Sequence, residues 1–322
     1  MNVSVVIPCH NGSAYIEQCI KSVVGQTDYN SVSEILVVND GSTDDSLQIL
    51  NRLKLDLNKL KIITTDGLGL PAARNTGIKL AQGDFIALLD GDDYWTKNKL
   101  QNQLKAFNSN SLIGLVYGDY WDFKKSDASD ATCVSVRSLN RFHTNQLVEY
   151  FIKDAPIVPS TTILRKEVFD TMGLFNEQIR SGEDTEMFLR VAEKWKLFYV
   201  SGADCYKRKS ESQMTYRQEK LLKNQERISA IAISRNPHLK KFVKKRESYR
   251  NAKIGIDCFT RHKEKKKTFM YAIKSLKLNL FNFRAWALIM MVLLPYKITI
   301  KIYNFMKNKF YQLRKKEFDN KI

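Results

Sequence analysis

At 322 residues the chain is long enough for one large α/β domain with an appendage, or for two domains, and it can bury a substantial core. Its formal charge of +18 is a C-terminal property: residues 1–206 carry 21 Lys and Arg against 26 Asp and Glu, whereas residues 207–322 carry 31 against 8. Five cysteines, Cys9, Cys19, Cys133, Cys205 and Cys258, are scattered without a C-x-x-C pair, which excludes zinc-like spacing and points to free thiols in a reducing compartment.

Met1 leads directly into Val3-Ser4-Val5-Val6-Ile7 without a basic n-region or a long apolar h-region, so the expected location is the cytoplasm. That β-branched run, closed by Pro8, suits a central strand covered on both faces. His10-Asn11-Gly12 reads as a loop. Ser13 is placed to cap a helix whose apolar positions Ile16, Ile20, Val23 and Val24 recur at helical spacing up to Gly25. A second buried strand over residues 34–39 ends in Asp40-Gly41-Ser42-Thr43-Asp44, and Ser42 with Asp45 resembles a capping arrangement for a helix through Leu53. Residues 61–65 predict a third strand, residues 70–80 a helix with a proline in its first turn, and residues 85–89 a fourth strand. This alternation is the pattern of right-handed βαβ crossovers in a parallel sheet. Beyond residue 93 it loosens: residues 97–107 and 144–153 read as helical, 115–117 and 160–164 as strands, and Ser181-Gly182-Glu183-Asp184 opens a further helix.

Ligands of such sheets bind outside the carboxyl ends of the strands. Three of those ends are polar: Pro8-Cys9-His10-Asn11, Asn39-Asp40-Gly41-Ser42 and Asp90-Gly91-Asp92-Asp93. The last places three carboxylates at the end of an apolar run. Like charges so close oppose each other's ionisation, so a counter-cation is implied, and hard carboxylate oxygens suit Mg²⁺ or Mn²⁺ rather than zinc. A cation held there can neutralise a diphosphate. A solvated acidic turn is the plainer alternative.

Five short motifs carry a resemblance: Val5-Val6-Ile7-Pro8-Cys9-His10-Asn11, Val37-Val38-Asn39-Asp40-Gly41-Ser42-Thr43-Asp44, Ala73-Arg74-Asn75-Thr76-Gly77, Leu89-Asp90-Gly91-Asp92-Asp93 and Gly182-Glu183-Asp184. In this order and spacing the chain resembles the family 2 glycosyltransferases of the GT-A fold over roughly its first 210 residues. The resemblance implies an α/β fold with a Rossmann-like, mostly parallel central sheet and helices on both faces. It implies a nucleotide-sugar-binding catalytic domain over residues 1–210, followed by a helical basic region over residues 211–322. It implies that Asp40 accepts a hydrogen bond from the uracil imide, with Pro8, His10 and Asn11 around the base and Arg74 reaching the nucleotide. Asp90, Gly91 and Asp92 would hold the sugar nucleotide, Asp90 and Asp92 toward Mn²⁺ or Mg²⁺, with Asp93 accessory. Asp184, with Glu183 beside it, would be the general base that deprotonates the acceptor hydroxyl, and in-line attack at C1 would invert the anomeric centre. The chain departs from the family at His10, where an aromatic ring is usual, and in Tyr206-Lys207-Arg208-Lys209, where relatives often carry histidine. A charged lysine cannot ligate a metal, although it can touch phosphate oxygens, so Lys209 stays outside the metal shell.

From Arg217 onward the sequence reads as helical, with basic clusters at Lys240-Lys241, at Lys244-Lys245-Arg246 and over residues 263–267. Residues 285–294, which include Trp286, Met290 and Met291, are apolar on every side but shorter than the roughly twenty residues a membrane span needs. With the lysine-studded apolar stretch after Pro295, they predict a helix lying in the interface of an anionic membrane; packing on the catalytic domain is the alternative. The expected partners are a UDP-sugar donor, a glycan or lipid-linked acceptor, and the inner face of the cell membrane, with no nucleic acid. Two other classes fit part of the pattern. A sugar nucleotidyltransferase would want a basic Gly-rich phosphate loop after the first strand, which Pro8-Cys9-His10-Asn11-Gly12 does not supply. A nucleic-acid-binding protein would grip phosphates with the basic tail.

Overall fold

The computed structural model describes residues 1–134, 136, 146–153, 157–179, 181–209, 218–260, 263–301, 303 and 305. They form two compact units, Met1–Gln146 with Pro156–Ile228, and Leu147–Ala155 with Ser229–Ile322.

The first unit begins with the expected alternation: β1 (Val3–Cys9), α1 (Ile16–Val24), β2 (Val32–Asp40), α2 (Ser46–Asp56), β3 (Leu60–Thr65), α3 (Leu70–Leu80) and β4 (Phe85–Leu88). β1 pairs in parallel with β2 and β4, and β2 with β3, so β1 is central and buried at all seven positions. Continuous Val and Ile suit a strand with no solvent face. Then come β5 (Tyr94–Trp95), α4 (Lys99–Phe107), β6 (Ile113–Phe123), β7 (Thr132–Val134), β8 (Ile163–Arg165), α6 (Lys166–Met172), α7 (Glu183–Lys194) and β9 (Lys196–Arg208), while α5 (Gln146–Lys153), between β7 and β8 in the chain, belongs from Leu147 on to the second unit. The described strands make one α/β sheet in the order β3-β2-β1-β4-β8-β6-β9-β5, with β7 beside β6. Parallel pairing continues at β6–β9, while β4–β8, β6–β8, β5–β9 and β6–β7 are antiparallel.

Several local expectations are corrected. Neither Ser13 nor Ser42 caps a helix: the Ser13 amide donates to Asp44 Oδ2 at 2.9 Å, and Ser42 Oγ accepts from the Asn11 amide at 3.0 Å. Both serines instead join the loops after β1 and β2. The strand expected over residues 115–117 runs from Ile113 to Phe123. Residues Pro159–Thr161 form a 3₁₀ turn, and the strand starts only at Ile163. Residues 144 and 145 of the expected helix lie outside the described residues.

α8 (Gln218–Arg235) crosses the division between the units, and the second unit contains α9 (Val243–Thr260), α10 (Lys265–Leu278) and α11 (Phe283–Leu293). Its core is made of small residues, Ala252, Ala272 and Ala285, with Leu276 and Leu288. A Cβ on Gly255 would lie 2.8 Å from Leu288 Cδ1, so any larger residue there would have to displace the Leu288 side chain between α9 and α11. Asn282 ends this core with a buried network. Its Nδ2 donates to Ser248 Oγ at 3.0 Å and Ser275 Oγ at 2.9 Å, and its Oδ1 caps α11 through the Arg284 amide. Around that anchored turn Leu280, Phe281 and Phe283 face solvent, the two phenylalanines each 82% exposed. Trp286, Met290 and Leu293 extend the exposed apolar surface along α11. Among the described residues no helix is long and apolar enough to cross a membrane.

Candidate active site

The loops after β1 and β2 are stitched together by polar contacts. His10 Nδ1 lies 2.6 Å from the Asp40 backbone carbonyl oxygen, which can only accept, so Nδ1 carries the proton and Nε2 accepts from Asn11 Nδ2 at 3.3 Å. Asn11 has a left-handed φ of 50°, and its Oδ1 accepts from the Thr43 amide at 2.8 Å. Asp44, absent from the expected site, takes the amides of Ser13 and Ser46. Asp40 is buried and accepts three hydrogen bonds of 2.7 Å each, from Thr65 Oγ1 and the Leu68 and Gly69 amides. Burial opposes its ionisation, but these donors outweigh it and hold the carboxyl below the usual range.

The acidic turn is positioned against this loop by Gly91, whose absent Cβ would lie 3.0 Å from the Pro8 carbonyl oxygen. Ser160, from the turn before β8, braces it: its Oγ accepts from the Asp90 amide at 3.1 Å and donates to Asp93 Oδ2 at 2.6 Å. The Arg208 amide donates to the other Asp93 oxygen at 2.9 Å, and Arg208 Nε reaches the Asp92 carbonyl at 3.2 Å. Asp93 is thus a buried structural carboxylate, its pKa pushed well up by burial and then by its neighbours Asp92 and Asp90.

Arg74 joins the turn to α7. It is 2% exposed; Nη2 donates to Asp90 Oδ1 at 2.6 Å and Nη1 to Glu183 Oε1 at 2.7 Å, residues 109 positions apart in the case of Glu183. Although burial works against the guanidinium, the two carboxylates hold it firmly protonated. The neighbouring Asn75 clamps the segment leading to α7, donating to the Phe175 carbonyl at 2.9 Å and Glu177 Oε1 at 2.8 Å and accepting from the Phe175 amide at 2.9 Å. Ala73-Arg74-Asn75-Thr76-Gly77 is therefore a device that ties α3 to the start of α7.

Asp184, in the first turn of α7, accepts the Thr185 amide at 2.6 Å. Burial, followed by the adjacent charge of Glu183, pushes its pKa up to about 7. Asp92 differs from its neighbours. Among the described residues no other group donates to its carboxylate, and burial followed by the Asp90 charge raises its pKa. A carboxylate that takes no hydrogen bond from another described residue, beside Asp90, which still has Oδ2 to offer, fits a divalent ion held by one or two carboxylates plus substrate phosphates. A ready-made cage of three or more His, Cys, Asp or Glu side chains is absent among the described residues. Lys209 forms an ion pair with Asp122 Oδ2 at 2.8 Å.

The structure therefore brings Asp90, Glu183 and Asp184 together around Arg74, with Asp92 beside Asp90 in the same turn, and joins Pro8, His10, Asn11 and Asp40 in one cluster that Gly91 abuts. The bracing roles of Ser160, Arg208 and Asn75 are not legible in sequence, because their partners lie 67 to 115 positions away.

The model of glycosyl transferase family 2 matches residues 4–173, and the chain belongs to that family. An uncharacterized glycosyltransferase of Rickettsia felis is 35% identical over 192 residues, 60% of this chain but only 30% of the relative's length. Glycosyltransferase GlyG of Streptococcus pneumoniae is 28% identical over 222 residues, 66% of this chain and 72% of GlyG. S. aureus TarS 1-349, solved in complex with UDP and with UDP-GlcNAc, superposes with TM-scores of 0.57 and 0.58 at 21% identity, covering 97% of this chain and 92% of TarS 1-349. That likeness is one of fold, the GT-A arrangement with a helical region after it.

Proposed function

We propose that the chain is an inverting, metal-dependent glycosyltransferase that moves a sugar from a UDP-sugar to an acceptor hydroxyl on a lipid-linked glycan of a cell-surface polysaccharide. The observation that carries this is the Asp90–Arg74–Glu183 bridge. It links the acidic turn that carries Asp92 to the start of α7, where Asp184 is a carboxylate of raised pKa.

In this scheme Asp40 recognises the base. Three of its roughly four acceptor positions are occupied by the protein, which leaves one for the uracil imide, and His10 and Pro8 flank the ring. Asp92 and Asp90 hold Mn²⁺ or Mg²⁺, which when bound supplies positive charge to the diphosphate. Asp184 accepts the proton of the acceptor hydroxyl as its oxygen bonds to C1. The C1–oxygen bond to the diphosphate breaks on the opposite face, its electron pair leaves with UDP, and the anomeric configuration inverts. Arg74 Nη1 holds Glu183 Oε1 at 2.7 Å beside the base, and the neighbouring Glu183 charge is part of what makes Asp184 basic enough at neutral pH.

Residues 1–210 are assigned to catalysis and residues 211–322 to attachment at the cytoplasmic face of an anionic membrane. The basic excess of the C-terminal region and the exposed Phe281, Phe283 and Trp286 support that attachment. The test is incubation with a panel of UDP-sugars, UDP-GlcNAc first, with Mn²⁺ and a lipid extract. The outcomes are UDP release coupled to label transfer, and product anomeric configuration by NMR. Metal-independent transfer, or retention of configuration, would refute the scheme.

A further inference from the structure

The antiparallel register of β9 with β5, Tyr206 opposite Tyr94 and Cys205 opposite Trp95, sets Lys207 beside Asp93 at the end of the acidic turn. Along β9 side chains alternate. Tyr206 stacks on Tyr94 at 4.7 Å, and Arg208 covers the Tyr15 and Phe123 rings at 4.2 and 4.6 Å, so these two share one side of the strand and Lys207 takes the other. Its backbone register sets it opposite Asp122, but the Asp122 carboxylate is taken by Lys209. Among the described residues the Lys207 ammonium has no hydrogen bond, and no carboxylate comes within 4.0 Å of it. Nor is it sealed away, for its Nζ is not among the buried unpartnered polar atoms. It nevertheless sits in the field of Asp93, Asp122, Asp92 and Asp90, which outweigh the cost of its partial burial and favour its charge. Asp92 is in the mirror situation, an unpartnered carboxylate in the same field. An anion and a cation that feel each other across a gap, each lacking a partner, call for a ligand carrying both signs between them.

We infer that Lys207 binds the diphosphate of the nucleotide, donating to a phosphate oxygen on the side of the cleft away from Asp92. This rests on the nucleotide-sugar reading above and extends it. Lys207 supplies a fixed positive charge to the leaving group in addition to that of a metal, so a share of UDP affinity persists without the metal.

Isothermal titration of the full chain with UDP and with uridine, each in Mn²⁺ and in EDTA, tests this on wild type, Lys207→Ala and Lys207→Arg. A lost charge-assisted contact corresponds to a UDP affinity about tenfold or more weaker in Lys207→Ala under both conditions. Uridine binding should be unchanged, and Lys207→Arg should recover most of the loss. Equal weakening of UDP and uridine, or UDP affinity unchanged in Lys207→Ala, overturns the inference while leaving the nucleotide-sugar reading in place. Failure of the wild type to bind UDP at all overturns both.

Discussion

As the proposed general base, Asp184 sets a pH dependence of definite sign for transfer. A general base works only when deprotonated, and this carboxyl is pushed up to about 7 by burial and by Glu183. kcat/KM for transfer should therefore fall as pH drops from 8 toward 6, with an apparent pKa near 7. Asp184→Asn should remove the inflection and lower the rate by about 10²- to 10⁴-fold. A flat profile in the wild type would disqualify Asp184 as the base. Arg74 answers to a stability measurement. Replacing it by Met leaves Asp90 and Glu183 without their shared cation; breaking a buried ion pair in this way costs about 3–5 kcal/mol, so a large drop in Tm is expected for Arg74→Met. At this scale Asp90-Gly91-Asp92-Asp93 was legible because a charge cluster after an apolar run is a local pattern. The differences within it were not: Asp93 is claimed by Ser160 and Arg208, Asp90 by Arg74, and Asp92 by no other described residue. Which carboxylate is free depends on residues up to 115 positions away.

Two elements carry opposed local and tertiary preferences, and magnitudes decide each. In α3, Gly77→Ala would by propensity alone gain about 0.5–1 kcal/mol. The new Cβ, however, would lie 2.5 Å from Val6 Cγ1, and overpacking costs about 1–3 kcal/mol, so the Tm of Gly77→Ala should fall. In α4, Lys99 is fully buried at the helix N-terminus, its ammonium 2.8 Å from Gln103 Oε1 and 4.4 Å from the Trp95 ring centroid. Burial pushes its pKa down to about 7. The unfolded chain then binds the extra proton between pH 7 and 10.5, and wild-type stability should rise across that window. Lys99→Met should raise Tm most at pH 7, by about 2–4 °C for each kcal/mol recovered, with the gain shrinking toward pH 10. The parallel βαβ half was readable because its strands are continuous apolar runs with turn residues between them. β9 escaped notice because Ser201, Gly202 and Asp204 interrupt an otherwise apolar and aromatic run, and Gly202 sits at a φ of 119°. β6 was read short because Asp119 and Asp122 look like strand ends until their partners, Tyr199 and Lys209, are seen.

For the whole molecule, the charge asymmetry visible in composition has a structural counterpart in the second unit. There a polar network at Asn282 anchors a turn whose apolar residues point outward. A flotation assay on vesicles rich in phosphatidylglycerol should show binding that weakens with salt and is lost in the triple variant Phe281→Ser, Phe283→Ser, Trp286→Ser. Undiminished flotation of that variant would move the contact elsewhere. The central claim concerns the first unit: two carboxylate groups, Asp92 and Asp184, serve opposite sides of one reaction. The direct measurement is UDP affinity with Mn²⁺ set against transfer rate for Asp92→Asn and Asp184→Asn. The account predicts that Asp92→Asn loses metal-dependent UDP binding and transfer together, whereas Asp184→Asn keeps UDP affinity and loses transfer. Near-normal turnover by Asp184→Asn, or undisturbed metal-dependent UDP binding by Asp92→Asn, would contradict it.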